Sequence, residues 1–131
     1  MKYGVLTENH LFSKTYSGGK RASARRVVLF ILEDRHARLL KKRHPEKKMI
    51  NRVGISATKK LGSAVKRNRA KRICREAWRQ INEEYEIKKG LLVVISCREA
   101  IDGAKMQEVK RDLLYAAGKL GIILGREKLP C

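Results

Sequence analysis

The chain has 131 residues, 43% of them hydrophobic, and its 32 Lys and Arg outnumber 13 Asp and Glu to give a formal net charge of +19. This length and apolar content predict one domain over residues 1–131 and exclude a wholly disordered chain. The large charge disfavours compaction by self-repulsion, which a polyanionic partner relieves. Nucleic acid is the commonest such partner, and a membrane surface is the alternative. No segment approaches 18 consecutive apolar residues and no signal sequence is visible, so we expect a cytoplasmic protein.

The cysteines and histidines predict neither a disulfide framework nor a metal site held by the protein. The three cysteines, Cys74, Cys97 and Cys131, form no C-x-x-C pair, and the three histidines are scattered without metal-ligand spacing. Cys74 falls among apolar positions of a predicted helix, where it is expected to fill space in the core.

The first predicted element is a short helix over residues 7–17, with Thr7 as a candidate cap and Gly18-Gly19 at its end. Phe12 and Tyr16 are four residues apart, so their rings are expected on one face of this helix.

Two strands are predicted next, over residues 26–32 and 50–57. The polar stretch 33–49 between them contains Pro45 and is predicted to be a long loop or insertion, with at most a helical turn around 37–42. We expect the two strands to form an antiparallel pair joined by this loop.

The second half of the chain predicts a helix, a buried strand, another helix and a tail. The helices are predicted over 64–85 and 104–119, the strand over 91–96 and the tail over 121–131, with Gly62 in the turn and Ser63 as cap before the first helix. The order α-β-β-α-β-α predicts an α+β fold, a two-layer α/β sandwich with a mixed sheet. The strands on either side of the long helix are candidates for a parallel βαβ unit.

A basic run occupies residues 59–75, without an acid before Glu76. Its members are Lys59, Lys60, Lys66, Arg67, Arg69, Lys71, Arg72 and Arg75. On a helical projection, one side carries the apolar residues Ala70, Ile73, Cys74, Ala77 and Ile81, and the other carries Asn68, Lys71, Arg72, Arg75 and Arg79.

The charged side of this helix has two possible interpretations, a solvated polar face and a phosphate-binding surface. Like charges four residues apart repel, and solvated faces usually mix signs. Arginine also offers a planar fork that binds two phosphate oxygens. These properties favour a phosphate-binding surface over a merely solvated face.

The same segment resembles the signature of the bacterial ribonuclease P protein family, including its Arg-Asn-Arg motif. The matching residues are Gly54, Ile55, Ser56, Lys59, Lys60, Leu61, Gly62, Ala64, Val65, Arg67, Asn68, Arg69, Lys71, Arg72, Arg75 and Glu76. The resemblance extends more weakly over about residues 6–118. The chain departs from the family at its N-terminus, where members often carry a basic cluster and this sequence has only Lys2.

The resemblance implies a fold shared with a domain of a small-subunit ribosomal protein, with a left-handed βαβ crossover. It also implies that the protein binds one catalytic RNA, ribonuclease P RNA, and precursor tRNA, and that it is a monomer within that holoenzyme. Mg²⁺ is expected to be held mainly by the RNA, which cuts the phosphodiester, so no catalytic residue is assigned to the protein. The expected contacts to the catalytic RNA are Lys59, Lys60, Lys66, Arg67, Asn68, Arg69, Lys71, Arg72 and Arg75.

A second expected site is a cleft for the single-stranded 5′ leader of precursor tRNA. By resemblance it comprises Phe12, Tyr16, Arg26, Val28 and Phe30. The complementary strand residues Val27, Leu29 and Ile31 are then expected to face the helical layer. The alternative is that Phe12 and Tyr16 only pin the first helix to the sheet.

Other functions remain as alternatives. One is a ribosomal or other RNA-binding protein without a processing role. A DNA-binding helix-turn-helix protein is disfavoured because strands flank the basic helix. A self-sufficient nuclease is also disfavoured, because acids such as Glu33-Asp34 and Glu83-Glu84 lie in polar stretches where solvent exposure is expected.

Overall fold

The computed structural model describes residues 3–46 and 48–126, which form seven strands and four helices. The strands are β1 (Tyr3–Val5), β2 (Lys20–Ser23), β3 (Val27–Glu33), β4 (Asn51–Ser56), β5 (Tyr85–Ile87), β6 (Leu91–Cys97) and β7 (Ile123–Arg126). The helices are α1 (Asn9–Gly18), α2 (Arg35–Arg43), α3 (Ala64–Glu84) and α4 (Met106–Leu120).

Five strands form a mixed sheet in the order β1-β4-β6-β3-β2, and β5 pairs with β7 in a separate ribbon. The expected antiparallel pairing of the strands now called β3 and β4 is wrong, because β6 lies between them. The central place suits β6, since its run of buried apolar side chains has to be covered on both faces. The predicted βαβ unit is confirmed: β4 and β6 are parallel neighbours joined through α3. The handedness of this crossover stays a prediction.

The main core lies between one face of the sheet and the helices α3 and α4. Val27, Leu29 and Ile31 are buried there, as expected once Val28 and Phe30 are placed on the other face of the strand. The predicted apolar stripe of α3 is confirmed, with Ala70, Cys74, Ala77 and Ile81 buried and Ile73 half-buried, and it also includes Trp78.

A smaller core lies on the opposite face of the sheet, beneath α1. Its buried members are Leu6, Phe30, Leu92 and Val94, and Phe12 packs against them. The sheet therefore has a helical layer on one face and a single helix covering part of the other.

Several short elements differ from the sequence predictions. Helix α1 begins after Glu8, so Thr7 is not its cap, and no side chain caps this end. Strands β1 and β2 were not predicted, because three and four residues at the edges of a sheet give little periodic signal.

The predicted loop 33–49 contains helix α2, which corrects the expectation. The Asp34 carboxylate accepts hydrogen bonds from the amides of His36 and Ala37, at 3.1 and 3.3 Å, and so caps the helix. The carboxylate also pairs with Arg52, whose Nε lies 2.8 Å away. Asp34 is buried, and the expectation that it is solvent-exposed was therefore wrong.

The C-terminal region adds a strand where a tail was predicted. Helix α4 ends at Gly121, whose φ of 72° lies in the left-handed region that favours glycine. Strand β7 follows and pairs with β5. Residues 127–131, including Cys131, lie outside the described part. Cys74 is buried as predicted, and its Sγ lies 3.6 Å from that of Cys97.

Candidate nucleic-acid interface

The start of α3 is fixed by the turn that precedes it. Lys59–Leu61 form one 3₁₀ turn, with Leu61 buried as its anchor. Gly62 follows with a φ of 114°, a conformation that side chains disfavour. The hydroxyl of Ser63 accepts a bond from the Lys66 amide at 3.4 Å, which confirms the predicted cap. The turn and cap therefore set the direction in which the first basic residues of α3 point.

The basic residues just before and within the first half of α3, together with Asn68, are called here the α3 basic face. It comprises Lys59, Lys60, Lys66, Arg67, Asn68, Arg69, Lys71, Arg72 and Arg75. All of them are exposed except Arg67 and Lys71, which are half-buried. They spread over the outward side and both flanks of the helix, since Lys71 lies toward β4 and Arg69 bonds to the carbonyl of Ala104 near the start of α4.

The α3 basic face has little internal compensation of charge. Of its eight cations, only Lys66 has a carboxylate partner among the described residues, the exposed Asp102 at 3.4 Å. Arg69 donates to the carbonyl of Ala104 at 3.0 Å. The Nε of Arg67 is buried without a hydrogen-bond partner in the described part of the chain. Most of these donors are therefore available to an external anion.

The ladder of free cations ends at Arg75. Arg79 also lies on the outward side, but its guanidinium binds Glu83 at 2.6 Å and pairs with Glu76. Hydrogen bonds from Arg79 and Gln80 lower the pKa of Glu76 to about 2, so this carboxylate is ionised at neutral pH. Arg79, which the helical projection placed on the same side as Arg75, is therefore neutralised by acids of its own helix and does not extend the uncompensated charge.

A second surface lies where α1 crosses the other face of the sheet. The ring of Phe12 covers Gly54, at which a Cβ would lie 2.3 Å from the ring. Tyr16 stacks edge-to-face on Phe30, with centroids 4.7 Å apart. Phe30 is buried and Val28 half-buried, whereas 38% of Tyr16 is exposed. The predicted aromatic pair and strand pair therefore meet, and Tyr16 is the ring that solvent reaches.

On the face of the sheet that α1 partly covers, three serines lie in line across the strands. Ser23, Val28, Ser96 and Ser56 are neighbours across β2, β3, β6 and β4. We call the three serines the serine row. Arg21 lies beside Phe30 on the same face. Sequence reasoning missed these residues, because only the register of the strands aligns them.

Arg26, the remaining residue predicted for the leader cleft, is bound to α4 on the opposite side of the sheet. Its guanidinium pairs with Glu108 at 2.8 Å and Asp112 at 3.2 Å, and its own amide also donates to Asp112. Only 16% of its side chain is exposed. These contacts give Arg26 a structural role at the start of β3 and do not join it to the aromatic group.

The described ranges 3–46 and 48–126 contain no helix long and apolar enough to cross a membrane. The same part of the chain contains no group of three or more His, Cys, Asp or Glu side chains arranged to hold a metal ion.

Solved structures with this fold belong to bacterial ribonuclease P proteins. The *Staphylococcus aureus* RNase P protein superposes with a TM-score of 0.72 at 21% identity, over 92% of this chain and 98% of its own. The *Thermotoga maritima* RNase P protein gives a TM-score of 0.66 at 23% identity, over 85% of this chain and 92% of its own. At these identities the likeness establishes the fold.

Sequence comparisons establish the family. The sequence model of the family Ribonuclease P matches residues 2–121. The ribonuclease P protein component of *Clostridium acetobutylicum* is 33% identical over 128 residues, which cover 98% of both chains. That of *Clostridium botulinum* strain Langeland is 32% identical over 122 residues, or 93% of this chain and 98% of the relative. The chain therefore belongs to the ribonuclease P protein component family.

Proposed function

We propose that this protein binds ribonuclease P RNA through the α3 basic face and the 5′ leader of precursor tRNA beside α1. In this assignment the protein assists removal of the leader to give the mature tRNA 5′ end. Cleavage is assigned to the RNA, with Mg²⁺ held mainly by the RNA, and no residue of this chain is given a catalytic role. The protein acts in the cytoplasm as a monomer joined to one RNA subunit.

The observation that carries the proposal is the uncompensated charge of the α3 basic face. Eight cations gather there with one carboxylate partner within the described residues. When Lys and Arg side chains neutralise phosphates, they release the counterions condensed on the nucleic acid, and this release supplies a large share of the affinity.

The surface beside α1 suits a single strand of RNA. Tyr16 offers an exposed ring for stacking, worth about 1–3 kcal/mol per base. The serine row offers donors and acceptors for ribose hydroxyls, the groups that distinguish RNA from DNA. Arg21 supplies a cation on the same face. A mature tRNA has no 5′ leader to place there, so this surface would contribute only to precursor binding.

The α3 assignment predicts a strong salt dependence. About five phosphate contacts give a log–log slope of the binding constant against salt of roughly −3.5 to −4.5. Replacing Arg67, Arg69 and Arg72 with Ala is expected to make that slope shallower by about 2 to 3. Filter binding of ribonuclease P RNA at salt concentrations from about 0.1 to 0.5 M measures this slope.

A matched variant carries the same change in net charge elsewhere. Lys88, Arg111 and Lys119 are exposed and lie outside the α3 basic face. Replacing these three with Ala should leave the slope within about 0.5 of the original value if binding is local. A flat salt response of the unaltered protein, or equal changes in the two triple variants, would contradict the assignment of the α3 basic face.

A further inference from the structure

An open groove of about 540 Å³ lies between α3 and the strands β1 and β4. One wall carries Lys71, Arg72 and Arg75 of α3, and the other carries the apolar side chains Val5 and Ile55. Ile55 belongs to the sheet face that packs on α3, the face opposite α1. The groove is therefore separate from the surface proposed for the leader.

The groove combines cations with exposed apolar surface. Lys71, Arg72 and Arg75 have no carboxylate partner among the described residues, in contrast to Arg79. Val5 is 65% exposed although it lies in a strand. This pairing of charge and apolar area fits a ligand with an anionic group and a flat apolar body.

Trp78 lies at the bottom of the groove and is 1% exposed. Its Nε1 is buried without a hydrogen-bond partner in the described part of the chain. Glu76, which also lines the groove, accepts hydrogen bonds from Arg79 and Gln80 and forms no ion pair with Lys71, Arg72 or Arg75 among the described residues.

We propose that this groove holds one unpaired nucleotide of ribonuclease P RNA, its base against Val5, Ile55 and Trp78 and its phosphate on Arg72 and Arg75. The inference rests on the proposed function, since it assumes that the α3 basic face binds that RNA. The volume lies in the range of small-ligand sites, about 300–1,000 Å³, and admits a nucleotide. A base paired within a helix cannot enter, because its faces are stacked, so the occupant comes from a loop, a bulge or an end.

Trp78 supplies the readout, because it is the one tryptophan in the chain. Binding of ribonuclease P RNA is expected to quench or shift its fluorescence. Single-stranded RNA octamers of each base are expected to do the same, whereas an RNA duplex of equal length is not. Quenching that appears only after precursor tRNA is added would assign the groove to substrate and overturn the proposal.

A variant of the apolar wall separates this site from the rest of the basic face. Val5→Asp is expected to weaken binding of ribonuclease P RNA about 5- to 100-fold, the loss of one stacked base. It should also abolish the fluorescence change with octamers. Leu124→Asp makes the same change in charge at a 58% exposed position on β7 and is expected to change affinity less than about 2-fold.

The outcomes distinguish the two claims. If Val5→Asp binds like Leu124→Asp and Trp78 does not respond to RNA, the groove proposal fails, while the arginine triple variant still tests the α3 basic face. If the triple variant also binds normally, the proposed function fails as well. Thermal unfolding of Val5→Asp and Leu124→Asp checks that each variant remains folded. If only Val5→Asp has a lower melting midpoint, and if the fluorescence of the unaltered protein does not respond to RNA, the result counts against the groove.

Discussion

Gly54 shows how one residue supports the surface beside α1. It lies under the ring of Phe12, and a Cβ at this position would be 2.3 Å from the ring. The contact is too close for any side chain, so Phe12 would have to move and α1 with it. Glycine here is explained by packing, since its backbone has no positive φ.

Gly54→Ala is therefore expected to reduce the free energy of unfolding by about 1–3 kcal/mol, as overpacking commonly does. Urea denaturation measures this change. Gly118→Ala is the matched control, because Gly118 lies in α4 with open space around its Cβ position. That variant should gain up to about 1 kcal/mol from helix propensity. Unchanged stability of Gly54→Ala would show that Phe12 does not rest firmly on β4.

Asp34 joins three parts of the fold at one carboxylate. It caps α2 and binds Arg52 of β4, which also lies 3.8 Å from Glu8 at the start of α1. Burial opposes its ionisation, but hydrogen bonds from Arg52 and from the amides of Ala37 and His36 outweigh that effect. The pKa of Asp34 is consequently lower than that of a free aspartate.

Asp34→Asn is expected to cost about 2–4 kcal/mol at neutral pH, because it leaves the partly buried Arg52 without its partner. Asparagine caps helices as well as aspartate, so this change isolates the ion pair. Asp34→Ala should lose about 1 kcal/mol more, the contribution of the cap. Urea denaturation of the three proteins gives these differences, and an asparagine variant as stable as the original would contradict the role of the pair.

The difference in the free energy of unfolding between the original protein and Asp34→Asn depends on pH in a direction set by the lowered pKa of Asp34. A carboxylate with a lowered folded-state pKa stabilises the fold fully above its unfolded pKa, about 3.9, and loses that contribution as the pH falls through the folded value. The gap between the original protein and Asp34→Asn should therefore be constant from about pH 5 to 7 and shrink below about pH 4. A gap that widens in acid would show that Asp34 is protonated in the folded protein.

At the scale of elements, α1 forms one wall of the surface that is proposed to bind the 5′ leader of precursor tRNA. Tyr16 is the exposed ring of that wall, whereas Phe30 is buried and its removal would damage the smaller core. Tyr16 is therefore the better residue to change in a test of the leader site.

Tyr16→Ala is expected to weaken binding of precursor tRNA by the holoenzyme about 5- to 100-fold, as loss of one stacked base does. Mature tRNA should bind as before. Tyr115→Ala, at a 56% exposed position on α4, is the control and should change neither affinity. Fluorescence anisotropy with labelled tRNAs separates the two cases, and equal losses for precursor and mature tRNA would indicate a folding defect.

The elements with a clear local pattern could be predicted from the sequence, and those that depend on contacts between distant segments could not. Helix α3 has an apolar stripe with helical periodicity, and β3 and β6 are runs of buried apolar residues. Helix α2 has no buried residue, and its stability depends on Asp34 and Arg52, which is distant in sequence. The ribbon of β5 and β7 likewise depends on pairing between distant segments.

The candidate site could likewise be predicted only in part from the sequence. The basic residues of α3 lie close together in the sequence, so helical geometry was enough to place Arg72 and Arg75 on its outward side. The neutralisation of Arg79 depends on side-chain rotamers, and the serine row depends on strand register. Arg26 contacts Glu108 and Asp112 of α4 across sequence separations of 82 and 86 positions, which local periodicity does not reveal.

For the molecule as a whole, the sheet separates the two surfaces that are proposed to bind RNA. The α3 basic face belongs to the helical layer, and the surface beside α1 lies on the opposite face of the sheet. In the proposed function, one surface holds the catalytic RNA while the other holds the leader. The sheet between them fixes their relative position, and the proposal therefore assigns binding and orientation to the protein and cleavage to the RNA.

The most direct test of this account is cleavage of precursor tRNA at low magnesium, with bacterial ribonuclease P RNA in the presence and absence of the purified protein. The account predicts that the protein accelerates release of the 5′ leader by at least about 10-fold, equivalent to one added stacking contact. It also predicts that the protein alone cuts nothing. No acceleration over the RNA alone, or cleavage by the protein without RNA, would contradict the central claim.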